Sequence, residues 1–235
     1  MTNESQKSGA ELVPTAFHAK CPYPPQVTIS CSSVAVGATN KLEISERCIR
    51  EFVKAKIPRL IRSSSRALLV EEMEICSGRA RVDLAVIGDH LIGIELKGPK
   101  DDVTRLPRQA KAYSQCFDRV VLVVHESLAQ KARPLIPDWW GLVISLQRGG
   151  QLAYEFERRP KPNPDLDLDA LLSLLWREEI ASLLVDLLGN TPETRATKKT
   201  IRAALLSQVE PAVLHCTTLK KLRDRINWRS IPIHR

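Results

Sequence analysis

No stretch of this chain reaches the roughly 18 uninterrupted apolar residues that a helix needs to cross a hydrocarbon core. A membrane span is therefore not expected. The first residues also lack the basic-then-apolar pattern of a secretory leader, and a cytoplasmic location is expected. There is no glycine-rich phosphate loop, which removes any basis for a built-in ATPase motor. The cysteines, at positions 21, 31, 48, 76, 116 and 216, make no Cys-x-x-Cys pair. Without that spacing they read as free thiols of a reducing compartment rather than as disulfides or zinc ligands. No internal repeat is visible.

What is present fits an ordinary globular protein. A chain of 235 residues buries one sizeable core plus a small appendage. Apolar residues make up 43% and charged residues 26%, so neither disorder nor a fibrous fold is indicated. The net charge of +8 is unevenly spread. Residues 191–235 carry ten basic and three acidic side chains, while residues 1–190 are nearly balanced. Such a segment either attracts a phosphate backbone or forms a solvated helical surface.

The chemistry concentrates between Arg79 and Lys97. Two apolar runs flank Gly88-Asp89-His90, the pattern of a β-hairpin with a three-residue loop. A loop centred on Asp89 pairs residues whose numbers sum to 178 and sets Asp83 opposite Glu95 on one sheet face. Lys97 joins that face by the two-residue period of a strand. Val82, Leu84, Val86, Ile92, Ile94 and Leu96 fall on the other, core-like face. Ala85 and Gly93 leave room above the charged one. Opposed carboxylates repel, and a divalent cation between them removes that penalty. Hard oxygen ligands suit Mg²⁺ or Mn²⁺, and a lysine beside the ion holds a water or steadies charge on a phosphate. The plain alternative is a solvated ion pair.

Two flanking helices extend the set. Residues 42–57 have helical periodicity, with Glu46 near the start and Ile49, Phe52, Val53 and Ile57 as a buried stripe. After the hairpin, a helix over 104–117 is expected, with Thr104 near its N-cap and Pro107 in its first turn. Gln109 and Tyr113, four residues apart, share one of its faces.

Asp83, Glu95-Leu96-Lys97 and Gln109-x-x-x-Tyr113 together resemble the PD-(D/E)xK nuclease superfamily, in particular its RecB-like branch. The resemblance is closest to a group of small stand-alone bacterial nuclease-like proteins of unknown role. It covers about residues 42–210 and includes Arg105-Leu-Pro-Arg-Gln109, Asp118-Arg-Val-x-Leu-Val, Ile136-Pro-x-Trp-Trp-Gly141 and Leu174-Leu-Trp-Arg-Glu-Glu179. Val82 stands where the motif has proline, at a position that varies widely. The resemblance implies that Asp83, Glu95 and the Leu96 carbonyl hold Mg²⁺ or Mn²⁺ and that Lys97 helps activate water. It further implies that Glu46 assists from the preceding helix, and that Gln109 and Tyr113 contact nucleic acid. Arg105 and Arg108, flanking Gln109, are phosphate-contact candidates.

The expected fold class is α/β: a restriction-endonuclease-like core with a mixed central sheet flanked by helices, plus a helical C-terminal subdomain. Residues 1–40 read as a flexible extension or a mis-assigned start. Residues 41–160 form the core and 165–235 the helical basic part. Strands are expected at 66–76, 119–125, 141–146 and 152–158, with a short helix near 127–135. Arg159–Pro164 reads as a stiff linker. One leucine-rich helix over 167–188 should end at Gly189-Asn190, with two more helices at about 194–209 and 211–226. His125-Glu126 is a secondary site candidate or a satisfied strand end. Trp139-Trp140 suits base stacking or a core edge.

The favoured expectation is a metal-dependent deoxyribonuclease that hydrolyses phosphodiester bonds. The partners expected are DNA, a second copy of the chain if both strands of a duplex are cut, and a protein partner encoded nearby; no membrane is expected. The alternatives are a catalytically silent nuclease-like protein that binds nucleic acid, and an adaptor that recruits partners through helix 167–188.

Overall fold

A computed structural model describes residues 45–60, 67–148, 151–225 and 230–232. The expected extension 1–40 lies outside the described residues, as do the start of the first expected helix, the side chain of Ile57, and positions 226–229 and 233–235 of the basic segment.

Helix α1 (Glu46–Leu60) precedes a three-stranded meander, β1 (Leu68–Ile75), β2 (Ala80–Ile87) and β3 (Leu91–Lys97). Helix α2 (Leu106–Cys116) then crosses over to β4 (Arg119–His125), and α3 (Glu126–Ala132) to β5 (Gly141–Arg148). The long apolar run of β4 suits a strand covered on both faces. Strand β6 (Gln151–Arg158) and helices α4 (Leu168–Ser173), α5 (Arg177–Leu188), α6 (Lys198–Gln208) and α7 (Pro211–Asp224) follow, and β7 (Ser230–Pro232) closes the edge. The sheet order is β6-β5-β4-β3-β2-β1-β7. β3, β4 and β5 run parallel and the remaining pairs antiparallel. This is the mixed sheet flanked by helices that the sequence predicts.

Each sheet face has its own apolar layer. Ile49 and Val53 of α1 pack on Leu84, Val86, Ile92, Ile94 and Leu96. The other face is covered by α2 and by the C-terminal helices, whose Leu171, Ile180, Ile201, Leu205, Leu214 and Leu222 share one cluster with Tyr113 and Phe117. The Arg159–Pro164 segment is tied down rather than spanning a gap. Lys161 N–H donates to Trp139 O, Asn163 N–H to Asp118 O, and the Asn163 amide to Ser114 O and Phe117 O.

The hairpin register is the predicted one over Leu84–Ile94, Ala85–Gly93, Val86–Ile92 and Ile87–Leu91, but the expected Asp83–Glu95 pair lies beyond the last rung and is not part of the ladder. The assignment of faces needs two corrections. Val82 joins the α2-side cluster, not that of Leu84. The alternation of β1 breaks at the same rung, where Glu72 takes φ +53° and Val70 and Met73 face the same way. A left-handed residue inside a strand inverts the order of faces beyond it. Nor is there room above Ala85 and Gly93. Ala85 is fully buried, and a Cβ built on Gly93 would stand 3.2 Å from the Phe117 ring.

The expected single helix over 167–188 is two, broken between Ser173 and Arg177. At the break the Glu179 carboxylate accepts the Trp176 N–H. The freed carbonyls find cations: Lys198 Nζ donates to Leu175 O and Arg225 to Leu174 O. Buried polar groups with such partners make an interrupted helix tolerable. Gly189 ends α5 with φ +68°, as predicted. Arg105, not Thr104, is the N-cap of α2 and supplies no side-chain cap; the Thr104 hydroxyl goes to Asp102 instead.

Gly98 places α1 against the end of β3. A Cβ there would lie 3.0 Å from the Glu46 backbone nitrogen. Backbone cannot yield as a side chain does, so Gly98→Ala is expected to cost about 1–3 kcal/mol. That corresponds to a fall in melting temperature of roughly 3–10 °C, measured by thermal denaturation. An unchanged melting temperature would show that α1 is not seated there.

Candidate active site

The predicted site residues converge on one cleft of about 810 Å³. Glu46, Asp83, Glu95, Leu96, Lys97, Arg105, Arg108 and Gln109 line it, and Tyr113 lies buried beneath.

Glu95 is the centre. Its carboxylate is only 2% exposed, deep for an acid, and three donors meet it. Lys97 Nζ and Gln109 Nε2 each donate to Oε1 at 2.6 Å, and the Tyr113 hydroxyl donates to Oε2 at 2.6 Å. The same hydroxyl lies 2.8 Å from Arg81 O. Tyr113 is held by a stacked Trp140 at 5.7 Å and an edge-on Phe117 at 5.6 Å. Burial, then the neighbouring Glu95 charge, pushes the Tyr113 phenol well above its ordinary range, so it stays a proton donor.

Asp83 stands where the β2–β3 ladder stops. Beyond Leu84–Ile94 the Leu96 N–H donates to Asp83 Oδ2 at 2.7 Å. The side chain thus replaces a strand partner and is fixed beside Glu95. Burial first, then the Glu95 charge, raises the Asp83 pKa to about 7, against a pull downward from the Leu96 N–H and Arg50. Arg50 Nη2 reaches Asp83 Oδ1 at 3.2 Å and Glu46 Oε1 at 2.8 Å. Arg50 went unnoticed in the sequence; its only signal there is an i,i+4 spacing from Glu46.

Charged side chains dominate the cleft lining. Glu46, Glu72, Asp83, Glu95, Asp101 and Asp102 gather around the hairpin end. Arg105, Arg108 and Lys111 recur every third residue along α2, and Arg79 and Arg81 rise from the β1–β2 turn. All five are exposed, and Arg105, Arg108 and Lys111 have no ion-pair partner among the described residues. Several cations of the basic C-terminal segment are engaged in ion pairs with other helices. Arg202 pairs with Asp169, Lys221 with Asp186 and Arg225 with Glu179, which ties α6 and the end of α7 to α4 and α5.

Other candidates lie elsewhere. His125 caps α3, its Nδ1 accepting the Ser127 N–H. Trp139 and Trp140 are core residues, and most of the leucines of 167–188 are buried in the main cluster, with Leu168, Leu187 and Leu188 packed partly buried against it.

The donor set suits a hard divalent cation: two neighbouring carboxylates, one with its pKa raised by burial and then by the other's charge, an acid at the cleft mouth, and a buried Gln109 Oε1 that meets no donor among the described residues. Among the described residues no group of three or more His, Cys, Asp and Glu side chains is poised to hold an ion unaided. Arg50 and Lys97 supply the positive charge at these carboxylates.

The raised Asp83 pKa has a consequence for stability. The folded state keeps the proton to about pH 7, whereas the unfolded chain releases it near 3.8. The folded form therefore binds more protons in that window, and this group's contribution falls as pH rises from about 4 to 7. Asp83→Asn keeps an acceptor for Leu96 and carries no charge. The variant is expected to gain melting temperature relative to wild type between pH 5 and pH 7.5 without divalent ions. A difference that does not grow with pH would contradict an Asp83 pKa raised to about 7.

A family model described as Bacteriophage P4 protein cII matches residues 46–231. No curated protein and no solved structure matches the chain. Among the described residues no helix is long and apolar enough to cross a membrane.

Proposed function

The chain belongs to the bacteriophage P4 protein cII family, a membership that carries no reaction with it, and from the site itself we propose a metal-dependent nuclease of PD-(D/E)xK type acting on DNA. The observation that carries the reading is the convergence of Asp83, Glu95 and Lys97 in one cleft, with Gln109 and Tyr113 both hydrogen-bonded to the Glu95 carboxylate.

Asp83 and Glu95 would hold Mg²⁺ or Mn²⁺ with the Leu96 carbonyl, and Glu46 would assist from α1. When bound, the ion supplies charge neutralisation on the phosphate and a lowered pKa for water. The chain's own residues do the rest. Gln109 and Tyr113 fix the rotamer of Glu95. Lys97, with its side chain 12% exposed at the cleft floor, orients the attacking water or stabilises charge growing on the phosphate. Arg105 and Arg108 bind flanking phosphates, joined by Lys111, Arg79 and Arg81. Among the described residues the cleft is lined by cations and carboxylates rather than aromatic rings, which favours contacts with the phosphate backbone.

A second reading, a silent nuclease-like binder of nucleic acid, is favoured by one observation: both oxygens of Asp83 and both of Glu95 already accept from protein donors.

Circular single-stranded and supercoiled double-stranded DNA incubated with Mg²⁺ or Mn²⁺ should be cut by wild type and left intact by Asp83→Ala. Lys97→Ala is expected to lose at least roughly a hundred-fold in rate and to melt below wild type, because Glu95 loses its cation, while DNA binding by the folded fraction persists. Binding without cutting by wild type, on circular and linear substrates alike, would favour the silent binder. Equal cutting by Lys97→Ala would overturn the role of that lysine in the reaction.

The basic wall is tested by binding. Replacing Arg105, Arg108 and Lys111 by Gln should flatten the dependence of log K on log salt by about 0.9 for each duplex phosphate that is no longer neutralised. An unaltered slope would remove α2 from the binding surface.

A further inference from the structure

Arg50 is partly buried among carboxylates. Its side chain is 16% exposed, and Glu46, Glu71, Glu72 and Asp83 surround the guanidinium. Nη1 lies 2.8 Å from Glu72 Oε1 and donates to Asp83 O at 3.3 Å. Nη2 donates to the carboxylates of Glu46 and Asp83. The four acids are not equally provided for. Glu71 has a second cation in Lys54 at 2.8 Å, and Glu72 has one in Arg81 at 2.9 Å. Glu46 and Asp83 have no ion-pair partner but Arg50 among the described residues. These are two of the acids to which the nuclease reading gives the ion.

We propose that Arg50 is the internal counter-cation of the ion-free site, and that it yields Asp83 Oδ1 when a divalent cation enters, so that it sets the affinity for that ion. The inference rests on the reading of Asp83 as a metal ligand. The geometry indicates which contact gives way. The bond to Asp83, at 3.2 Å, is longer than those to Glu46 and Glu72, at 2.8 Å, and charge-assisted bonds weaken as they lengthen. Arg50 therefore has two stronger anchors to keep while it releases the third. A planar fork spans several oxygens at once, which a lysine ammonium does not do from one position. Arg50 is a positioning residue in this scheme and touches no substrate.

The test is a calorimetric titration of Mn²⁺ into the full chain without nucleic acid, beside thermal melts with and without the ion. Wild type, Arg50→Gln, Arg50→Lys and Asp83→Asn are compared. Arg50→Gln is expected to bind Mn²⁺ about ten-fold more tightly, the scale of one charge-assisted hydrogen bond no longer competing. Its ion-free form should melt below wild type, and saturating Mn²⁺ should raise its melting temperature by more. Arg50→Lys keeps the charge without the fork, and it too should bind more tightly than wild type. It carries the test if the Gln variant does not fold. Arg50 variants that bind Mn²⁺ no more tightly than wild type would overturn the inference. If wild type binds and Asp83→Asn does not, the nuclease reading survives that result. Gain in Arg50→Gln with none in Arg50→Lys would reduce the effect to net charge and overturn it equally. No Mn²⁺ binding by any form would remove both the inference and the metal-ligand role of Asp83.

Discussion

A carboxylate buried to 2% exposure is the constraint around which this protein is arranged. An uncompensated charge at that depth would be costly enough to unfold a marginally stable domain, so Glu95 must be met by donors from every side. Lys97 comes from its own strand, while Gln109 and Tyr113 come from α2. α2 is thereby tied to β3 by polar contacts as well as by its apolar face. Tyr113 in turn needs a rigid seat, which Trp140 and Phe117 supply from the far side of the crossover. The Trp-Trp pair thus acts on the site through packing rather than through contact with a ligand.

Around that centre the charges are sorted. Acids collect where the hairpin ladder ends, and cations line α2 and the β1–β2 turn. The interruption at Asp83 connects the two levels. A strand residue that gives its carboxylate to the next strand's N–H ends the ladder and fixes an acid in place by the same bond. The left-handed Glu72 on the neighbouring strand inverts the faces at that rung. Strain of this kind persists where surrounding structure over-determines it, and it clusters at functional sites.

Much of this was legible in advance because short-range periodicity carries it. The two-residue period and a three-residue loop were enough to obtain the hairpin register, and the i,i+4 spacing put Gln109 and Tyr113 on one face. What escaped was long-range or cooperative. Arg50 meets Asp83 across 33 positions of sequence. The break between α4 and α5 is stabilised by Lys198 and Arg225, both far downstream. The net positive charge after residue 190 is compatible with a phosphate-binding or a solvated helical surface, yet several of those cations are partners of acids on α4 and α5.

The sequence by itself determined the order of elements up to residue 158, the hairpin and its register, and the identity of the acids and the lysine at its end. Hydrophobic period and turn chemistry act over a few residues, so they can be read without a fold. Only the tertiary structure decided that Val82 turns away from Leu84, that Phe117 fills the space over Gly93, and that Arg50 meets acids of α1, β1 and β2 together. Those outcomes depend on which surfaces meet, and a buried charge selects its partners by proximity in space rather than along the chain.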